Sequence, residues 1–190
     1  PRWVTAAQEL AGAMLDQFWD AAGGGFFFTG RDHEALIARA KDPQDGAVPS
    51  GNSMAVTALL RLGKLTGRAD LLQRAEATLR AFRGLLANHP MAAGQWLTAL
   101  DFYLGPVQEF AIVGDPAGSA TLRVLRAIRG GFRPNKVVAL KPPSGGAEAE
   151  TAVPLLEGRT AGGPVTTYVC ENFTCQAPLV GAAAVEAALA

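Results

Sequence analysis

A chain of 190 residues, 49% of them apolar, is long enough to bury a core and allows one or two domains. Its 17 Lys and Arg balance 17 Asp and Glu, so no net field favours nucleic acid, an anionic membrane surface or an acidic substrate. No apolar run reaches the roughly 20 residues needed to cross a bilayer, no secretory leader is recognisable, and two cysteines are too few for a disulfide scaffold, which points to a reducing, cytoplasmic setting.

The chain opens at Pro1 without a methionine and runs at once into an apolar pattern, so a longer parent protein is expected. Trp3, Ala7, Leu10, Met14 and Phe18 recur at helical spacing and predict an amphipathic helix ending before Gly23-Gly24-Gly25. Phe26-Phe27-Phe28 reads as a short strand. A second helix is predicted from about residues 50–53 through Met54, Val56, Leu59 and Leu60 to a C-terminal glycine at Gly67. Leu71, Ala75, Leu79, Phe82 and Leu86 predict a third over about 68–87, and Pro90 opens a fourth that runs to about Leu104. Charges crowd the first and third helices and are sparse on the second and fourth. The expected order is therefore outer, inner, outer, inner, as in stacked αα-hairpins.

Beyond Gly105-Pro106 the period changes. Phe110 to Val113, Val137 to Leu140 and Thr167 to Cys170 read as strands; they alternate with helical stretches through Leu122 to Ile128 and over about 147–156. A further helix is expected to begin near Cys175. Strands alternating with helices predict βαβ units and a parallel sheet of about three strands. The expected organisation is a helical domain at 1–104, with a long polar loop at 23–50, followed by a small α/β unit at 105–190.

Most chemical motifs fail on inspection. His33-Glu34-Ala35-Leu36-Ile37 begins like a zinc-protease helix but carries Ile37 where the second histidine should stand, and no other ligand set has zinc spacing, so neither metal nor cofactor is expected. The polar loop is different. Between Arg31 and Asp45, eight of fifteen positions are charged or histidine, and the segment then delivers the chain to the N-terminus of the second helix, where free amides favour anions or hydroxyls. Two readings stay open for it, a solvated surface with Ser50 or Asn52 as a helix cap, or a ligand site. Cys170 and Cys175 are read as a reduced, mainly structural pair, with a redox pair as the alternative.

Several strings carry a resemblance: Gly24-Gly25-Phe26-Phe27-Phe28, Asp45-Gly46-Ala47-Val48-Pro49-Ser50-Gly51-Asn52, and Tyr168-Val169-Cys170-Glu171-Asn172-Phe173-Thr174-Cys175-Gln176-Ala177-Pro178. The chain resembles the C-terminal part of the thioredoxin-domain-containing, spermatogenesis-associated protein 20-like family. That resemblance implies a mainly α fold, part of an α/α-hairpin toroid similar to six-hairpin glycosidases, preceded by upstream toroid hairpins and a thioredoxin-like domain as partners. On that fold analogy the 31–52 loop would be carbohydrate-binding or hydrolase-like. Asp42 and Asp45 would then supply acid and base carboxylates with His33 beside them, while Arg39, Lys41, Ser50, Asn52 and Gln95 would hold a sugar or other small polar ligand. The alternatives are a redox accessory built on Cys170 and Cys175, which would exchange electrons with the thioredoxin-like domain, and a non-catalytic scaffold.

Overall fold

The computed structural model describes residues 2–34, 37–144, 146–172 and 174–190. Pro1, Ala35, Leu36, Gly145 and Phe173 lie outside the described residues, and with them single positions of the polar loop, of the 142–146 loop and of the string from Cys170 to Cys175. About half of the chain is helical, with a small mixed sheet, and it divides into two compact units, one of residues 2–64 with 68–104 and one of 65–67 with 105–190.

The helical unit contains α1 (Arg2–Phe18), α2 (Gly51–Thr66), α3 (Ala69–Ala81), α4 (Arg83–Asn88) and α5 (Gly94–Leu104), with one 3-10 turn at Pro90–Ala92. Gly67 sits at φ 67°, the left-handed conformation that ends a helix cheaply only when no Cβ is present. Its core is carried by α2, whose Val56, Leu59 and Leu60 are fully buried, and by the stripe Leu71, Ala75, Thr78 and Leu79 of α3. Each large apolar side chain enclosed this way contributes roughly 1.5–3 kcal/mol. Arg74 and Arg80 remain exposed, so α3 is the outer helix that its charges predict.

Four expectations need correction. The third predicted helix is broken at Phe82, whose backbone leaves helical geometry where its ring packs 5.0 Å from that of Trp96. The fourth is not enclosed: Trp96, Ala99 and Phe102 are buried, but Leu97, Tyr103 and Leu104 face outward. A scarcity of charge marks a helix as apolar without saying that neighbours cover all of it. In α1 helical spacing predicts an apolar stripe, yet it buries only Ala11 while Trp3 and Leu10 are exposed, because periodicity marks a face without supplying the neighbours that cover it. Phe26–Phe28 forms no strand either; only an isolated bridge joins Phe26 to Trp19.

In the second unit, β1 (Gln108–Gly114) pairs parallel with β2 (Lys136–Lys141) across α6 (Ser119–Gly130), as a βαβ unit requires. The expected parallel sheet stops there. β3 (Val165–Glu171) lies antiparallel to β1 on its other side, followed by β4 (Thr174–Cys175), while β5 (Leu179–Val180) also pairs with β3. Alternation of strand and helix patterns does not dictate direction when, as at 142–164, the connection is long enough to return the chain either way. Among its described residues that connection holds the short α7 (Ala147–Ala152) and a 3-10 turn at Pro154–Leu156, not the single predicted helix. Cys175 lies in a hairpin strand rather than at a helix start; the last helix, α8, is Ala182–Leu189.

The sheet buries both faces. Phe110 and Ile112 pack with Val165, with Val124 and Ile128 of α6 and with Val185 of α8. The opposite face carries Glu109, Ala111 and Val113 of β1 and Cys170 of β3, and the turn at Pro154–Leu156, with Leu155 and Leu156 buried, packs against β1 and β2.

Candidate functional site

Within the helical unit the polar loop is tied down by its own charges. The Asp45 carboxylate accepts four hydrogen bonds: Oδ1 from the Ser50 amide at 2.8 Å and the Ser53 hydroxyl at 2.7 Å, Oδ2 from the Gln95 and Trp96 amides at 2.8 and 3.2 Å. It thereby caps α2 and α5 at once, placing a negative charge at two helix N-termini. Burial pushes the Asp45 carboxyl up, but the Ser53 hydroxyl and the amides of Ser50, Trp96 and Gln95 outweigh it and leave the group below its ordinary value. Ser50 completes the α2 cap by accepting from the Ser53 amide at 3.0 Å, and the Gln95 side chain donates to the Thr57 hydroxyl at 2.8 Å, joining α5 to α2.

Asn52, buried at the first turn of α2, acts as a surrogate strand: Oδ1 accepts from the Phe26 amide at 2.7 Å and Nδ2 donates to the Phe26 carbonyl at 2.9 Å. Gly25, at φ 77°, runs so close that a Cβ there would lie 2.8 Å from the Phe82 ring. Lys41 donates to Asp20 at 2.6 Å and to the Gly24 carbonyl. The bond from Lys41, helped by the Gly23 and Ala22 amides, holds the Asp20 carboxyl down at about 2. Arg39 donates to the carbonyls of Gln17 and Thr29, with its guanidinium 4.2 Å from the centre of the Phe27 ring.

The predicted site residues therefore divide. Asp45, Ser50 and Gln95 meet at the N-termini of α2 and α5 as a structural cap. Asp42 and Asn52 instead line a cavity of about 300 Å³ with Met14, Phe18, Phe27 and Phe28. Asp42 is exposed, and among the described residues its carboxylate accepts a long bond from the Gln44 amide at 3.4 Å. His33 lies exposed and does not line the cavity. A larger groove of about 440 Å³ between α3, α4 and α5 is walled mainly by apolar atoms, with Glu76, Arg80 and Arg83 among its lining residues, and contains no predicted site residue.

In the sheet unit Cys170 and Cys175 form a disulfide, which corrects the expectation of a reduced pair. The physical reason is register. The hairpin pairs Glu171 with Thr174 and so sets Cys170 directly opposite Cys175, where side chains share a face. Asn172, in the left-handed region at φ 49°, makes so tight a turn accessible. Arg159 lies over the bridge, its Nη2 2.9 Å from the Cys175 sulfur and 3.8 Å from that of Cys170, and its guanidinium also stacks 4.8 Å from the Tyr168 ring centre. Glu109, fully buried on β1, is the register partner of Cys170.

Comparison with known proteins agrees with the motif strings. The chain is 32% identical to human spermatogenesis-associated protein 20 over 179 residues, and 32% identical to the rat protein over 182. The chain is homologous to spermatogenesis-associated protein 20. The alignment covers 93% of this chain and 23% of the human relative, so the chain spans about a quarter of the length of the curated relatives it matches. A Caenorhabditis elegans relative, uncharacterized protein B0495.5, is 25% identical over 178 residues. No family model matches the chain.

Among the described residues no helix is long and apolar enough to cross a membrane, and no three His, Cys, Asp or Glu side chains gather as a metal site. Sequence reasoning missed Asp20, Ser53, Glu109 and Arg159. Glu109 had a readable signal, a lone charge heading the otherwise apolar run Phe110 to Val113. Asp20, Ser53 and Arg159 had none, because their partners lie between 8 and 21 residues away along an irregular backbone or across a turn.

Proposed function

We propose that the helical unit binds a small, neutral polar ligand of the sugar type in the cavity between the 26–28 turn and the start of α2. The observation that carries this reading is the pairing of an aromatic wall with an under-used carboxylate: Phe27 and Phe28 line the cavity, Phe28 is 76% exposed, and Asp42 opens onto it. Ligand pockets are typically apolar surfaces with a few convergent polar groups, and an exposed ring offers the apolar face of a sugar a flat partner while a carboxylate accepts from its hydroxyls. The reading treats the helices as hairpins of an α/α toroid, which exposed α1 and α3 and buried α2 support.

Binding is favoured over hydrolysis. Glycoside cleavage needs two carboxyl groups with opposed environments, and Asp45 is engaged by four donors that keep it ionised and occupied. The test is calorimetric titration of the chain with a panel of neutral monosaccharides. Binding that Phe28→Ala and Asp42→Asn each weaken about tenfold or more supports the reading, since each removes an interaction of about 1.4 kcal/mol. No heat at millimolar sugar, or binding indifferent to both substitutions, removes it.

A further inference from the structure

The sheet unit holds a second constellation, independent of the sugar reading. Its parts are a disulfide between β3 and β4, a guanidinium resting on one of its sulfurs, and a buried carboxyl beside the other. We propose that Cys170 and Cys175 form a reducible dithiol–disulfide site in which Cys175 is the sulfur that exchanges with external thiols, and Arg159 is the positioning residue that favours its thiolate.

The two sulfurs are unequal in three respects. Cys170 is 2% exposed in the middle of the sheet, whereas Cys175 is half-buried on the short outer strand. Arg159 is about an ångström closer to Cys175. A cation at hydrogen-bond distance lowers a thiol pKa from its usual value of about 8.5, while burial raises it. Glu109, fully buried on β1, is the register partner of Cys170 and not of Cys175. The other titratable groups on this face are engaged elsewhere: the Tyr168 hydroxyl donates to the Thr160 carbonyl at 3.0 Å, and buried Lys141, opposite Val113, donates to Glu150 of α7. Access and cation both select Cys175 as the reactive sulfur and leave Cys170 as the resolving one.

The exchange balances with a dithiol as reductant. A thiolate of that dithiol attacks the Cys175 sulfur, the bond between Cys175 and Cys170 breaks, and its electron pair leaves on Cys170, which takes up a proton. The second thiol of the reductant, losing its proton, then attacks its partner sulfur in the mixed disulfide and expels Cys175 as a thiolate beside Arg159. The protein pair gains two electrons and the reductant becomes a disulfide. In reverse, the Cys175 thiolate attacks an external disulfide and Cys170 resolves the product. Arg159 itself is held by donating to the Leu155 carbonyl at 3.4 Å and by stacking on Tyr168, so the cation stays in place when the bridge opens.

The experiment treats the native oxidised chain with dithiothreitol and follows alkylation of each cysteine by peptide mass spectrometry across pH. The expected result is reduction without denaturant, Cys175 alkylated about tenfold faster than Cys170, and a Cys175 profile with an apparent pKa at least about one unit below 8.5. Arg159→Gln should slow Cys175 alkylation at neutral pH about tenfold and return the profile toward 8.5, with Arg159→Lys recovering part of the shift, because a one-unit rise cuts the thiolate fraction tenfold. Reduction only after unfolding, faster modification of Cys170, or a Cys175 profile unchanged in folded Arg159→Gln each overturn the proposal. The order of labelling and the pH profile of the unsubstituted chain decide it even if a variant does not fold.

Discussion

The polar loop of the helical unit and the disulfide face of the sheet unit use charge in opposite ways. In the loop, charged side chains are dense in sequence, and most meet backbone: Asp45 accepts amides at two helix starts, Arg39 and Lys41 donate to carbonyls, and Arg31 reaches the Trp19 carbonyl at 3.5 Å. These groups replace a regular ladder that the segment lacks, so the density of charge reports a folding problem solved locally. On the sheet the charges are sparse, yet Glu109 is buried and Arg159 rests on sulfur. Arg159 also donates to the Leu155 carbonyl, but its guanidinium lies against the Cys175 sulfur, and Glu109 is the register partner of Cys170, so here charge is placed at a reactive group. If this contrast is right, substitutions in the loop cost stability, and substitutions around the bridge cost reactivity.

The largest loss is expected at Asp45. Asp45→Ala removes the cap of α2 and the cap of α5 together and leaves the Ser50, Gln95 and Trp96 amides without their acceptor, which should cost about 2–4 kcal/mol. A shift of the urea midpoint at unchanged slope measures it. A loss below about 1 kcal/mol would mean that water replaces the carboxylate at both ends and that the loop is not the staple described above. Asn52→Ala comes next, at about 1–3 kcal/mol, because it strands the Phe26 amide and carbonyl in a buried setting. Retained stability there would break the strand-surrogate argument.

How far these features are legible in the sequence depends on their range. The α2 span, the Gly67 terminus and the exposed face of α3 follow from periodicity and charge within one element, whereas the break at Phe82 does not. The direction of β3 does not, because pairing is decided between segments about 55 residues apart. The site was legible as residue types and not as roles. Asp45 carries the signature of an acid, but its function is set by Gln95, 50 positions on. Phe26-Phe27-Phe28 has the composition of a strand, yet its backbone partner is the Asn52 side chain, which no β pattern encodes. The cysteines were read without their hairpin, and only the register of Glu171 with Thr174 shows that they must face each other.

A smaller stability effect is expected at the bridge. Replacing both Cys170 and Cys175 by Ser should cost at most about 2 kcal/mol, since the loop it closes is very short and the hairpin already holds its ends together. Thermal unfolding of the double variant checks this against Asp45→Ala. A loss greater than that of Asp45→Ala would make the bridge a structural staple and erase the contrast between the two regions.

The smallest effect concerns pH and isolates one charge of the loop. Asp20 is held at about 2 by Lys41 first, then by the Gly23 and Ala22 amides, against an ordinary value of 3.8. A carboxyl depressed in the folded state contributes stability that is complete above its ordinary range and disappears as pH falls through the folded value, so the window is about pH 4 down to about pH 2. Asp45 is lowered as well and titrates in the same direction, so the whole-chain acid profile cannot separate the two. Asp20→Asn can: the variant keeps the Asp45 caps, and the difference between its urea midpoint and that of the unsubstituted chain should shrink steadily over that window. Because Lys41 and Asp20 are partly solvated, with side chains 19% exposed, added salt should narrow the gap at higher pH as well. Parallel acid profiles for the two proteins would show that Lys41 orders the Gly23–Gly25 turn through the Gly24 carbonyl alone, leaving Asp20 as a surface charge.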